Sequence, residues 1–135
     1  MYKIFLALHV ISVALVVGTL FLQSLAVVMA LRLKTEAQQE GNRLLQRRIH
    51  LAVYYPILAV ALVTGIGLAA ASGAFSHGTW LHWKLVGVVL LIGLGFLTGW
   101  ELRTPRPFKP VAMAVHIAVF LVSFYVIYLA TAQPF

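Results

Sequence analysis

Apolar residues in this chain do not alternate with polar ones. They run together in four long stretches, residues 2–31, 50–72, 80–100 and 111–132. Each is long enough to cross a bilayer, which takes about 20 residues in a helix. Backbone exposed to lipid must satisfy its own hydrogen bonds, so the stretches predict helices rather than open strands. Their connections are short, which predicts an antiparallel, up-down-up-down packing. The fold class is thus all-α, an integral membrane four-helix bundle forming one domain over residues 1–135. The first stretch is too long for the apolar core of a signal peptide. No small-x-small cleavage site precedes Arg32, so it is read as a membrane helix.

The connections are legible too. "RLKTEAQQEGNRLLQRRIH", residues 32–50, reads as helical on both sides of Gly41, with an amphipathic piece leading into the second span. The third span stops at "TPRPFKP", whose three prolines cannot continue a helix. Trp80, Trp83 and Trp100 bracket the third span as interface anchors. Small residues recur at intervals of four, at Gly65, Ala69 and Gly73 in the second span and Gly95 and Gly99 in the third. Such spacing lets helices approach closely. It serves packing within the bundle or a homo-oligomer interface.

Composition bears this out. Of the residues, 62% are apolar and 10% charged. Mean hydropathy is +0.99. A soluble domain this small could not hide so much apolar surface. The absence of cysteine excludes disulfides, thiolate metal sites and iron–sulfur clusters. The net charge of +7 is not spread as a nucleic-acid footprint. Arg32, Lys34, Arg43, Arg47 and Arg48 fall in the first connection, and Arg103, Arg106 and Lys109 in the third. The second, "SGAFSHGT", has none. The positive-inside rule then puts connections one and three in the cytoplasm, with both termini outside. The expected location is a bacterial inner membrane, crossed several times.

Ionisable groups inside a membrane are costly and default to function. His9, Ser12, Thr19 and Gln23 fall within about 80° of one another on the first helix, at about 100° per residue. His50, Tyr54 and Thr64 share a face of the second, and His116 and Ser123 a face of the fourth. The antiparallel course sorts the histidines into two levels. His9 lies level with His82 and Lys84 toward the outside, and His50 level with His116 toward the cytoplasm. His77 is a loop residue. Two imidazoles from different helices can ligate a haem, and bundle cores are where such sites are built. His9 is the leading iron ligand, with His82 or Lys84 opposite or beside it. A second haem would use His50 and His116. His82 and Lys84 are two residues apart, so they point about 200° away from each other and cannot both face one site on a regular helix.

Other chemistry is poorly provided for. Catalytic zinc takes three clustered ligands. The acids are Glu36, Glu40 and Glu101, all read as lying at or beyond helix ends. No carboxylate pair, nucleophile–base arrangement or phosphate loop suits hydrolysis. Met1, Met29 and Met113 are a thin set for copper(I), which prefers sulfur. A copper-handling protein or a subunit of a larger membrane complex is the non-redox alternative.

Three stretches carry a family resemblance. "YKIFLALHVISVALVVG" is similar to the opening of HemJ-type membrane proteins, with their first-helix histidine. "GTWLHWKLVGVVLLIGLG" resembles their third helix, with its Trp-Leu-His-x-Lys-Leu entrance. "ATAQPF" resembles their Lys-Pro-Phe type ending. The copper-resistance protein D domain shares the first-helix histidine pattern. The resemblance covers most of the chain but rests on few residues. It implies a four-helix protein that binds haem b and oxidises protoporphyrinogen IX, passing electrons to a quinone or the respiratory chain. His9 would then be the family's histidine and Lys84 its functional lysine. Two family features differ. Gln23 is the nearest polar residue to the family's first-helix arginine, and "FKPVAMAVHIAV", with His116, replaces an Arg-x-x-Asn-Glu-x-Pro motif.

Overall fold

The computed structural model describes residues 1–30, 32–103 and 109–132. The predicted stop at "TPRPFKP" and the "ATAQPF" ending fall largely outside these residues, as does Leu31. Five helices follow one another: α1 Tyr2–Ala30, α2 Glu36–Ile49, α3 Tyr55–Ser72, α4 Trp80–Arg103 and α5 Lys109–Ala132. Four are long and apolar enough to cross a membrane, the second of them being α2 and α3 run together from Glu36 to Ser72. The protein is an all-α, four-helix, multi-pass membrane bundle. Leu22, Val63, Val89 and Leu121, one on each crossing helix, are about two-thirds exposed. Only a lipid surround makes so much bare apolar surface favourable.

α2 starts at a capping box. Thr35 Oγ1 accepts from the Gln38 backbone N–H at 3.2 Å, and the Gln38 side chain reaches back to the Thr35 N–H. The helix then passes straight through Gly41, joining the helical pieces read on either side of it. Nor does it end where the apolar stretch begins. One π-helical turn, His50–Tyr54, joins α2 to α3, and the Tyr55 N–H closes it on the His50 carbonyl. Pro56 stands at the first turn of α3. Its ring and missing N–H would break a regular helix there. The widened turn carries the chain past it without a stop. At the far end of α3, Gly73 has φ +67°, a left-handed cap that closes the helix and starts the turn to α4.

α1 packs chiefly along α3, and α4 along α5. The two pairs meet over Val16, Leu20, Ala61, Leu91, Val115 and Val119, a dry layer at mid-depth. Glycines decide how closely they approach. A Cβ on Gly65 would come within 2.8 Å of the His9 ring. One on Gly99 would meet the Tyr55 hydroxyl at 2.7 Å and the His50 ring at 3.2 Å, and one on Gly95 would overlap the Tyr54 hydroxyl. The repeated glycines therefore serve as notches for rings inside one chain. The end of the bundle carrying α2 is called the basic end below, and the end carrying residues 73–79 the neutral end.

Gly95→Ala should lower unfolding stability in mild detergent by about 1–3 kcal/mol, through overpacking against Tyr54. Gly93→Ala, two residues earlier with open space at its Cβ, should not. Equal losses would show that the notch is not what holds the pairs together.

Candidate functional site

The first-helix polar stripe does face inward. Ser12, Thr19 and Gln23 are buried, and His9 is half-buried. Ser12 and Thr19 spend their hydroxyl protons on their own helix, each bonding the carbonyl four residues back at 2.7 Å. That removes two of the four polar residues from chemistry. His9 and Gln23 bond across helices, and they mark the two levels the sequence predicts.

At the neutral end, His9 Nδ1 lies 2.9 Å from the Ala61 carbonyl and 3.4 Å from Thr64 Oγ1. A carbonyl only accepts, so Nδ1 carries the proton and Nε2 is left with a free lone pair. Thr64 donates to the Val60 carbonyl at 2.7 Å and holds the same edge of the ring. On α4, Lys84 is half-buried and its Nζ lies 6.0 Å from the Trp80 ring centroid. His82 is exposed. The helix entrance is regular, so one of the two residues had to turn outward, and it is the histidine. His82 is not brought together with His9. Lys84 is on the inward side.

At the basic end the polar groups are more numerous and more deeply buried. His50 is 1% exposed. Its Nε2 lies 3.0 Å from the Gly95 carbonyl, to which it must donate. Its Nδ1 is then an acceptor, served by the Gln23 side-chain amide N–H at 3.0 Å. The Tyr54 ring stacks on it at 4.4 Å, and Tyr55 meets it edge-on at 4.7 Å. Both nitrogens are thus engaged, one face of the ring is covered by Tyr54, and Tyr55 packs against it at a steep angle.

His116 differs. Its Nδ1 is 3.0 Å from Ser24 Oγ. Ser24 has one proton and donates it to the Leu20 carbonyl at 2.9 Å, so His116 Nδ1 donates and Nε2 is the bare nitrogen. That Nε2 lies 3.8 Å from Glu101 Oε2. His50 and His116 are therefore at one level but in separate networks, and no contact pairs them across a shared space. Among the described residues, no three His, Cys, Asp or Glu gather in a metal-binding group.

Glu101 does stand at a helix end, in the last turn of α4, but it is 6% exposed, a burial the sequence reading missed. The signal was available, because Gly87, Leu91, Gly95, Thr98 and Glu101 follow one another at steps of three or four, the inward face of α4. Gln46 was also missed. It lies in the amphipathic helix outside the apolar stretch, and it is buried.

Comparison with known proteins finds no match: no family model fits the chain, and neither a curated protein nor a solved structure matches it.

Gln23→Leu should leave the His50 acceptor without a donor and cost about 1–3 kcal/mol in a denaturing-detergent titration. Ser12→Ala, which breaks only bonds within α1, should cost less. The reverse order would refute the His50 assignment.

Proposed function

We propose that the protein is a haem b-binding redox protein of the membrane, related to HemJ-type proteins, with its haem site at the neutral end. One observation carries this reading. His9 donates from Nδ1 to a backbone carbonyl and presents a bare Nε2. A metal-ligating histidine is held in this way, with its second nitrogen fixed by an outer hydrogen bond. The donor chemistry of His9 thus fits a residue that would hold a haem iron through Nε2. Lys84, turned inward on α4, supplies a cation that suits a haem propionate or a tetrapyrrole carboxylate. The resemblance of "YKIFLALHVISVALVVG" and "GTWLHWKLVGVVLLIGLG" supports the same two residues. Bound there, haem b would supply one-electron chemistry, exchanged with a quinone or another respiratory partner.

The basic end does not fit a second haem. His50 has no free nitrogen, and its ring packs against Tyr54 and Tyr55. Its role, with Gln23, is to tie α1 and the α2–α3 helix to α4. Protoporphyrinogen IX oxidation is the second reading, and inward-facing Lys84 is the observation that favours it. The proposed setting is a bacterial inner membrane with the basic end in the cytoplasm, which reporter fusions at either terminus would test.

Protein purified in mild detergent should show a sharp Soret band and, on dithionite reduction, the α and β bands of a b-type haem. His9→Ala should lose most of that haem. Lys84→Met should keep it but lower its midpoint potential, since a nearby positive charge favours the reduced form. A flat spectrum after expression with added haem overturns the reading. Restored growth of a cell lacking its own protoporphyrinogen oxidase would select the enzyme.

A further inference from the structure

Three buried polar atoms at the basic end have no hydrogen-bond partner among the described residues and line one cavity. They are Gln46 Oε1, Glu101 Oε1 and His116 Nε2. The cavity holds about 170 Å³ between α1, α2, α4 and α5. All three residues are more than nine-tenths buried. They come from three helices, so no single helix's geometry accounts for their gathering.

All three atoms are of one kind. The Ser24 contact leaves His116 Nε2 as an acceptor. The other two are oxygens with lone pairs. Buried polar atoms are nearly always satisfied, and each orphan costs roughly 1–3 kcal/mol. The neighbouring donors bond elsewhere: Gln39 to the Leu33 carbonyl, Asn42 to the Ala26 carbonyl and Thr98 to the Leu94 carbonyl. Arg43 also lines the cavity, but it bonds Glu40 and the Leu102 carbonyl. Three lone-pair atoms that no lining donor reaches call for a cation.

We propose that this cavity is a binding site for one divalent transition-metal ion, with His116 Nε2 and a Glu101 carboxylate oxygen as its protein ligands. An imidazole nitrogen singles out the transition metals over calcium or magnesium, which take oxygen. The spacing agrees. Nε2 and Oε2 are 3.8 Å apart, too far for a hydrogen bond but within the span of one ion about 2.1 Å from each. The Ser24 bond to Nδ1 is the outer contact that fixes a ligating histidine. Gln46 Oε1 and water complete the coordination. With two strong protein ligands the site is open rather than closed, the form that exchanges its metal or presents it to a substrate. The site is separate from His9 and does not depend on haem.

The test is a Zn²⁺ titration of the full chain in mild detergent against a chromophoric chelator. His77→Asn and His82→Asn serve as background, to silence the histidine of residues 73–79 and the exposed one on α4. The background protein should bind one Zn²⁺ per chain and melt at a higher temperature with Zn²⁺ than without. Glu101→Gln and His116→Gln should each weaken binding by about 100-fold and abolish the thermal shift. Gln46→Ala, which keeps both strong ligands, guards against a folding defect and should weaken binding less. With Co²⁺, visible bands should appear in the background protein and vanish in both ligand variants. No stoichiometric Zn²⁺, or binding unchanged by Glu101→Gln, overturns the proposal and leaves water as the partner of these atoms.

Discussion

The bundle depends on the approach of one imidazole to one carbonyl. His50 reaches across to the Gly95 oxygen at 3.0 Å; the absence of a side chain at Gly99 admits its ring, and at Gly95 admits the Tyr54 ring stacked on it. Without that contact, α1 with α3 and α4 with α5 would be two antiparallel pairs meeting over aliphatic side chains. Lipid offers no hydrophobic force to press such pairs together, so packing and interhelical hydrogen bonds have to do it. Among the described residues, the hydrogen bonds between the pairs belong to this region. Ser24 with His116, and Arg43 with the Leu102 carbonyl, lie at the same end. Among the described residues the two pairs are buttoned at the basic end, and at the neutral end they meet by side-chain packing.

That asymmetry divides the labour between the histidines. At the basic end His50 is spent on architecture, and at the neutral end His9 keeps a lone pair. Between them the layer of Val16, Leu20, Leu91, Val115 and Val119 separates the two levels. A polar chain through the bundle is interrupted there, so what happens at one level does not pass to the other by hydrogen bonds.

Much of the fold was legible because lipid leaves so few solutions. Four apolar runs could only be helices, and the inward stripe of Ser12, Thr19 and Gln23 followed from helical period alone. The site was legible in part. His9 and Lys84 could be placed at one level by topology, and the choice between His82 and Lys84 turned on rotation about α4, which two-residue spacing poses but does not answer. Glu101 and Gln46 escaped for a different reason. Acidic and amide residues at the ends of apolar runs are usually solvated, and their burial here depends on α2 folding back beside α4. The small-residue spacing at Gly95 and Gly99 was equally compatible with a second copy, until Tyr54, Tyr55 and His50 were seen to fill the notches.

The π-helical turn at His50–Tyr54 acts as a phase adjuster. A helix that is amphipathic in its first half and lipid-bound in its second must aim both halves at the same interior, and a uniform repeat across Pro56 need not do so. One extra residue within a turn rotates everything beyond it by roughly 100°. It sets Gln46 and His50 against α4 while Thr64 and Gly65 still meet His9 on α1. Lengthening or shortening the chain at this turn would leave every residue hydrophobic or polar as before, yet swing half of the inward face out to the lipid.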